Sequence, residues 1–333
     1  MGAADLRCIL IAPTVSVPNS ARRVAGTIGL LLIGVLLAIG AGEALVRVAT
    51  MDQRNYVIEM WRYAGLLKRP SADPAIGHEH IPNRSARLQN ADISINSLGM
   101  RGPEPKSGAR RRIAVIGDSL ALGWGLSERD TLRGQLQAAL PADVDVVNDG
   151  VGNMNLSQIA AHWSRTNARL PVDTVILLTS FRAPILQPPP TRNPILRNSA
   201  LSAILVTYWS TLTSGATGRD DMVAGVRKEW STGPGAAAMH AGFDRIAGLA
   251  RKRGYRVILA AVPEMHDLRN YSFQFITDIQ RAEAAKHGWT FVDLREPLLG
   301  RPAKDYWVTE QDVHPNAAAI SLITRQLLPL VRD

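Results

Sequence analysis

The chain has 333 residues, of which 46% are hydrophobic, 20% charged and 5% aromatic. That balance excludes a disordered, collagen-like or purely coiled-coil chain, and a single cysteine, Cys8, excludes an intramolecular disulfide framework or a Cys-rich zinc module. Lys and Arg number 38 against 29 Asp and Glu, a formal charge of +9. The longest basic run is only Arg110-Arg111-Arg112 and no nucleic-acid motif accompanies it, so scattered arginines on a membrane-proximal protein are expected rather than a nucleic-acid partner.

The first element in chain order is apolar. Val24 to Gly42 is a run of 19 residues without a charge, long enough to cross a bilayer and longer than the apolar core of a typical signal peptide. Arg22 and Arg23 precede it, which predicts that residues 1–23 stay on the cytoplasmic side and that the rest is exported. The expectation is a signal-anchor helix at 24–46, single-pass in the cell inner membrane, with the remaining chain periplasmic or otherwise extracytoplasmic. Small residues at Ala38, Gly40 and Gly42 keep a cleaved signal peptide as the competing reading. Cys8 lies before the apolar run, so it is not placed like a lipoprotein cysteine.

Residues 47–110 read as a polar, irregular linker or lead-in, with turn formers in DPAIGHEHIPN and a short alternating strand in ADISINSLG. His78, Glu79 and His80 lack a convincingly spaced further ligand, and no metal is expected there. From Arg112 the pattern changes. Strands are predicted at Ile113–Ile116, Val144–Val147, Thr174–Leu178, Val257–Val262 and Thr290–Val292. Helices are predicted at Thr131–Leu140, Leu156–Leu170, Ala236–Lys252, Phe273–Lys286 and Ala317–Leu330. Continuously apolar strands are buried on both faces, and their alternation with helices predicts a parallel three-layer α/β fold. An insertion of about 181–235 separates the third and fourth strands. It opens on QPPPTRNP, continues into LSAILVTYWSTL and is long enough to require helices of its own. A lid, a partner surface and a membrane-resting face are its open readings. Tyr208 and Trp209 within it read as core or as an acyl or sugar platform. His162, His240 and His287 read as structural residues on helices, and His266 with Glu264 as a capping or surface pair near a sheet edge.

The chemistry concentrates in three places. The first strand runs into Gly117-Asp118-Ser119-Leu120, and in open α/β sheets ligands sit at the carboxyl ends of strands. Serine becomes a nucleophile when a base takes its proton, and histidine titrates near neutrality. His314, in Asp312-Val313-His314-Pro315-Asn316 just before the last helix, is expected at that same sheet edge, with Asp312 the nearest carboxylate to orient it. After the second strand comes Asn148-Asp149-Gly150-Val151-Gly152-Asn153-Met154-Asn155. Its glycines suit a loop of converging N–H groups such as an oxyanion requires. Asn155 with Gln158 reads as a helix cap, so the Gly152-Asn153 peptide is the better donor candidate.

The stretches RRIAVIGDSLALGWGL, VVNDGVGNMN and QDVHPNAAA resemble the first, second and last blocks of the SGNH (GDSL-like) hydrolase superfamily, from about Arg112 to the C-terminus. INSLGMRGPE resembles the lead-in of bacterial, membrane-anchored members. The resemblance implies an α/β protein with a flavodoxin-like three-layer α/β/α sandwich over 111–333, its five-stranded parallel sheet in order 2-1-3-4-5. It implies an ester hydrolase or O-acyltransferase without metal or cofactor, acting on small acyl esters or an acylated cell-envelope glycan. Ser119 would be the nucleophile, His314 the base and Asp312 its partner, with Ser119, Asn153 and Gly152 around the oxyanion. Two positions depart from the family pattern. Where its third block carries an Asn that donates to the oxyanion, this chain has Phe181, followed by Arg182. Where the acid commonly stands three residues before the His, this chain has Gln311, and the acid is one residue closer. The first departure leaves open a catalytically impaired protein of the same fold that binds glycan or partners in envelope polysaccharide assembly.

Overall fold

The computed structural model describes residues 19–186, 193–213 and 218–332. Cys8 and the QPPPTR start of the insertion lie outside them. The chain divides into two units, Met1–Ala49 and Thr50–Asp333. The described residues of the first form the helix Asn19–Ala49. Its stretch Arg22–Ala49, 28 residues, is long and apolar enough to cross a membrane, a test that an N-terminal signal sequence also passes. The helix runs on through Glu43, whose carboxylate pairs with Arg47 one turn later at 2.7 Å.

The second unit is built on five parallel strands: β1 (Arg111–Gly117), β2 (Val144–Gly150), β3 (Thr174–Thr179), β4 (Arg256–Ala261) and β5 (Thr290–Asp293). Their order in the sheet is β2-β1-β3-β4-β5, with Ile113 of β1 opposite Val146 on one side and Thr174 on the other. Every residue of β2 and β3 is buried, which is why these segments show no apolar–polar alternation. Ala114, Ile116, Val175 and Leu177 pack one face against the helices Leu156–Asn167, Gly233–Arg253 and Gln274–His287. Ile113, Val115, Ile176 and Leu178 pack the other against Leu132–Ala139 and Ala317–Val331. The predicted strands and helices recur with only their ends moved.

Residues 50–110 correct the reading of 47–110 as an irregular lead-in. They form the helix Tyr56–Leu66, capped by Asn55, and two hairpins, Lys68–Pro70 with His78–His80 and Arg84–Leu88 with Ala91–Ile95. Tyr63, Leu67, Leu88, Ile93 and Ile95 share one apolar cluster with Leu122 and Trp124, the residues that follow the first strand. The alternating strand expected in ADISINSLG is present as Ala91–Ile95. The other three, of three to five residues, carry too little periodicity to be seen, and charged and polar side chains are buried beside the apolar ones. Arg101 is the clearest case. It is 1% exposed and donates to the carbonyls of Leu122 (2.9 Å), Gly123 (2.7 Å) and Leu126, with Glu128 at 3.3 Å as its counter-charge. It thereby satisfies the carbonyl end of the short helix Ser119–Leu122, which would otherwise be orphaned in the interior.

The insertion does hold its own helices, Pro194–Asn198, Ala200–Thr213 and Arg219–Ser231. Tyr208 and Trp209 are 63% and 69% exposed, so they are surface residues and not core. Arg101→Met should lower the unfolding free energy by about 3 kcal/mol, because several buried carbonyls lose their donor at once; urea unfolding of the variant beside wild type measures it.

Candidate active site

β1 ends in Gly117 at φ +154°, where an added Cβ would stand 2.8 Å from the carbonyl oxygen of Leu178 and 2.9 Å from Ala121 Cβ. Only glycine lets the chain turn this tightly against β3. Asp118 then caps the helix Ser119–Leu122, its carboxylate accepting from Leu120 N–H (3.0 Å) and from Ser180 Oγ (2.9 Å). The turn presents Ser119 as the first residue of that helix.

His314 arrives from the other end of the chain. It lies on the strand Asp312–Pro315, paired antiparallel with Trp307–Thr309, and the helix behind it is capped by Asn316. Ser119 Oγ is 2.8 Å from His314 Nε2, and His314 Nδ1 is 2.5 Å from Asp312 Oδ1. A carboxylate only accepts, so Nδ1 carries the hydrogen and Nε2 offers its lone pair to the serine hydroxyl. Asp312 is 2% exposed, and its second oxygen accepts from Trp124 Nε1 at 2.9 Å. The Asp-x-His spacing therefore closes the same contact without a residue at Gln311 taking part. Tyr56 lies against the imidazole with ring centroids 5.7 Å apart, and its phenol is pushed up to about 12, chiefly by burial and then by the Asp312 charge, so it stays neutral.

These residues open on a cavity of about 310 Å³, lined also by Asn153, Phe181, Arg182, Glu264 and His266. Asn153 has φ +68°, a left-handed conformation that asparagine tolerates far better than most residues. The N–H groups of Ser119 and Asn153 have no hydrogen-bond partner among the described residues. The expected third donor fails: Gly152 N–H is consumed by Tyr63 Oη at 2.9 Å, because the helix Tyr56–Leu66 packs directly behind the loop. A Cβ at Gly152 would sit 2.7 Å from the Tyr63 ring. Asn155 is the helix cap it was expected to be, in reciprocal hydrogen bonds with Gln158. Phe181 leans on the core, and its carbonyl accepts from Trp230 Nε1. Arg182 donates to Asn153 Oδ1 at 3.0 Å. The cavity carboxylates are matched by other donors: Asp118 by Ser180, Asp312 by His314 and Trp124, Glu264 by His266. So His266 and Glu264 line the cavity as a pair.

Sequence reasoning missed the contribution of the lead-in. Lys68 Nζ and His78 Nε2 both reach the Gly152 carbonyl, each at 3.1 Å. Tyr63 Oη is also 2.7 Å from His80 Nε2. Burial lowers Lys68 to about 7, and burial together with the Lys68 charge lowers His78 to about 4. His162 pairs with Asp149 and is structural, as expected. The signal for these residues was the pair His78 and His80 on one short strand, which spacing alone offered only as a weak metal motif.

No protein-family model and no curated protein matches the chain. Among solved structures, it is similar to TesA, at 16% identity and TM-score 0.45 over 67% of this chain and 98% of that one. It is similar to the acetylxylan esterase Axe2 from Geobacillus stearothermophilus, at 14% identity and TM-score 0.44 over 67% and 94%. A carbohydrate acetylesterase family member from Sinorhizobium meliloti matches at 16% identity and TM-score 0.41 over 67% and 97%. A member of the lipolytic G-D-S-L family from Veillonella parvula is also among the matches. Likeness at this level carries no information on substrate, and the chemistry follows from this chain's own residues.

Because Lys68 titrates near 7 in the fold and near 10.5 when unfolded, the unfolded chain holds the extra proton between those values. Stability contributed by this group therefore rises as pH rises through that window, with a slope of at most about 1.4 kcal/mol per pH unit. Urea unfolding at pH 7, 8, 9 and 10 should show a steeper rise for wild type than for Lys68→Met.

Proposed function

We propose that the protein is an ester hydrolase or O-acyltransferase of the SGNH type. The observation that supports it most is the chain of contacts Ser119 Oγ, His314 Nε2, His314 Nδ1, Asp312 Oδ1 at 2.8 and 2.5 Å beside a cavity. In this reading Ser119 Oγ attacks the ester carbonyl as its proton passes to His314 Nε2, and Asp312 stabilises the imidazolium. The charge that develops on the carbonyl oxygen is met by the N–H groups of Ser119 and Asn153. The tetrahedral intermediate then expels the alkoxide, which takes the proton back from His314 Nε2, leaving an acyl group on Ser119. Attack by water, deprotonated by the same imidazole, completes hydrolysis; attack by a sugar hydroxyl completes transfer.

Arg182 takes the place of the missing third-block Asn. It pairs with no carboxylate among the described residues, and its hydrogen bond to Asn153 holds a positive charge on the donor side of the cavity. A cavity of this size is at the small end of ligand sites and suits a short acyl group with part of its alcohol. The N-terminal apolar helix favours action at the cell inner membrane with the domain outside the cytoplasm, where acylated envelope glycan is the substrate we favour. Phe181 favours a second reading, in which the same cavity binds glycan without turnover.

Release of nitrophenol from p-nitrophenyl acetate should be lost on Ser119→Ala and on His314→Ala. Arg182→Met should lower kcat by roughly 10²-fold if it stands in for an oxyanion donor. A fluorophosphonate probe should label Ser119; a folded protein that neither labels nor turns over would establish the binding reading instead.

A further inference from the structure

The peptide that carries the Asn153 N–H also carries the Gly152 carbonyl. A trans peptide is planar, so its N–H and C=O point in opposite directions and turn together. Lys68 Nζ and His78 Nε2 both grip that carbonyl from behind the loop. The preceding peptide is held as well, since Gly152 N–H donates to Tyr63 Oη. Proton positions follow from the partners. His80 Nδ1 faces the Gly99 carbonyl at 2.9 Å and must donate, so His80 Nε2 accepts from the Tyr63 hydroxyl. His78 Nε2 faces a carbonyl and must donate too. Both peptides flanking Gly152 are thereby fixed from one side, and Asn153 is left facing the cavity.

We propose that Lys68 and His78, with Tyr63, are positioning residues that aim and polarise the Asn153 N–H as the oxyanion donor. This rests on the reading of Ser119 as the nucleophile. Donors on a carbonyl enlarge the dipole of the whole peptide, strengthening the hydrogen bond its N–H can offer by about 10–30%. A buried lysine is an expensive way to fill space, and Lys68 pairs with no carboxylate among the described residues. Its polar contact is the Gly152 carbonyl, and its ammonium also lies 4.7 Å from the centre of the Tyr63 ring. Tyr63 in turn meets Trp124 edge-on, with centroids 5.5 Å apart, and Trp124 holds Asp312. One brace thus reaches both the donor loop and the acid behind His314.

The test uses the full chain in detergent, with Lys68→Met, His78→Phe, the double variant and Tyr63→Phe, which keeps the ring and removes the hydroxyl. Steady-state hydrolysis of p-nitrophenyl acetate and the rate of phosphonylation by a fluorophosphonate are both measured, beside thermal unfolding. The double variant should lose roughly 10²-fold in kcat and in phosphonylation rate, with KM changed by less than about two-fold, as loss of a transition-state donor does. Tyr63→Phe should lose about ten-fold in the same quantities. A folded double variant with wild-type kcat and phosphonylation rate overturns the proposal. If the double variant does not fold, Tyr63→Phe decides, and unchanged rates there overturn it. Wild type that neither turns over nor labels at Ser119 instead overturns the catalytic reading, and the brace with it.

Discussion

The hydrogen bond from Ser119 Oγ to His314 Nε2 joins residues 195 positions apart, and the second unit is arranged around keeping it. Neither residue is anchored by its neighbours in sequence alone. Ser119 is placed by a glycine turn that β3 leaves no room to replace, and His314 by a two-stranded ribbon whose partner strand ends at Thr309. Both belong to the same edge because β1 is an interior strand of a parallel sheet and the last helix packs on one face of that sheet. Parallel strands all present their carboxyl ends on one side, so a residue following the first strand and one preceding the last helix meet there.

The second support is less conventional, because it comes from outside the sheet. Tyr63, Trp124 and Arg101 are all fully buried between the lead-in and the turn after β1. Arg101 closes the end of the nucleophile's helix, Trp124 fixes the free oxygen of Asp312, and Tyr63 packs on Gly152. A four-residue helix such as Ser119–Leu122 has no cooperativity of its own, so its geometry depends on these outside partners. The lead-in is therefore part of the site's scaffold, and truncating the chain near 110 would remove the brace along with the linker it resembled.

Electrostatically the cavity is asymmetric. Its carboxylates are each tied to a donor, while among the described residues the Arg182 side chain bonds to the neutral Asn153 amide and Lys68 to a peptide carbonyl beside an aromatic face. The Arg182 charge on the cavity side and the Lys68 and His78 donors behind it converge on one loop. That is the side on which negative charge would grow during acyl transfer.

Much of this was legible in the sequence. Long apolar strands alternating with helices are a strong signal because burial on both faces admits few polar residues, and so the sheet, its flanking helices and the ends where Ser119, Asp312 and His314 stand could be read directly. The capping box at Asn155 was legible for the same local reason. What was hidden is non-local. The polar lead-in looked like a linker because its apolar residues are spread over short elements and its buried histidines, lysine and arginine bond mostly to distant backbone carbonyls, which no periodicity records. The loss of Gly152 N–H to Tyr63, the role of Trp124 and the exposure of Trp209 likewise depend on which surfaces meet. Local propensity and burial pattern determined the elements and the motif; only packing across 90 to 200 residues decided which donors are free and which are spent.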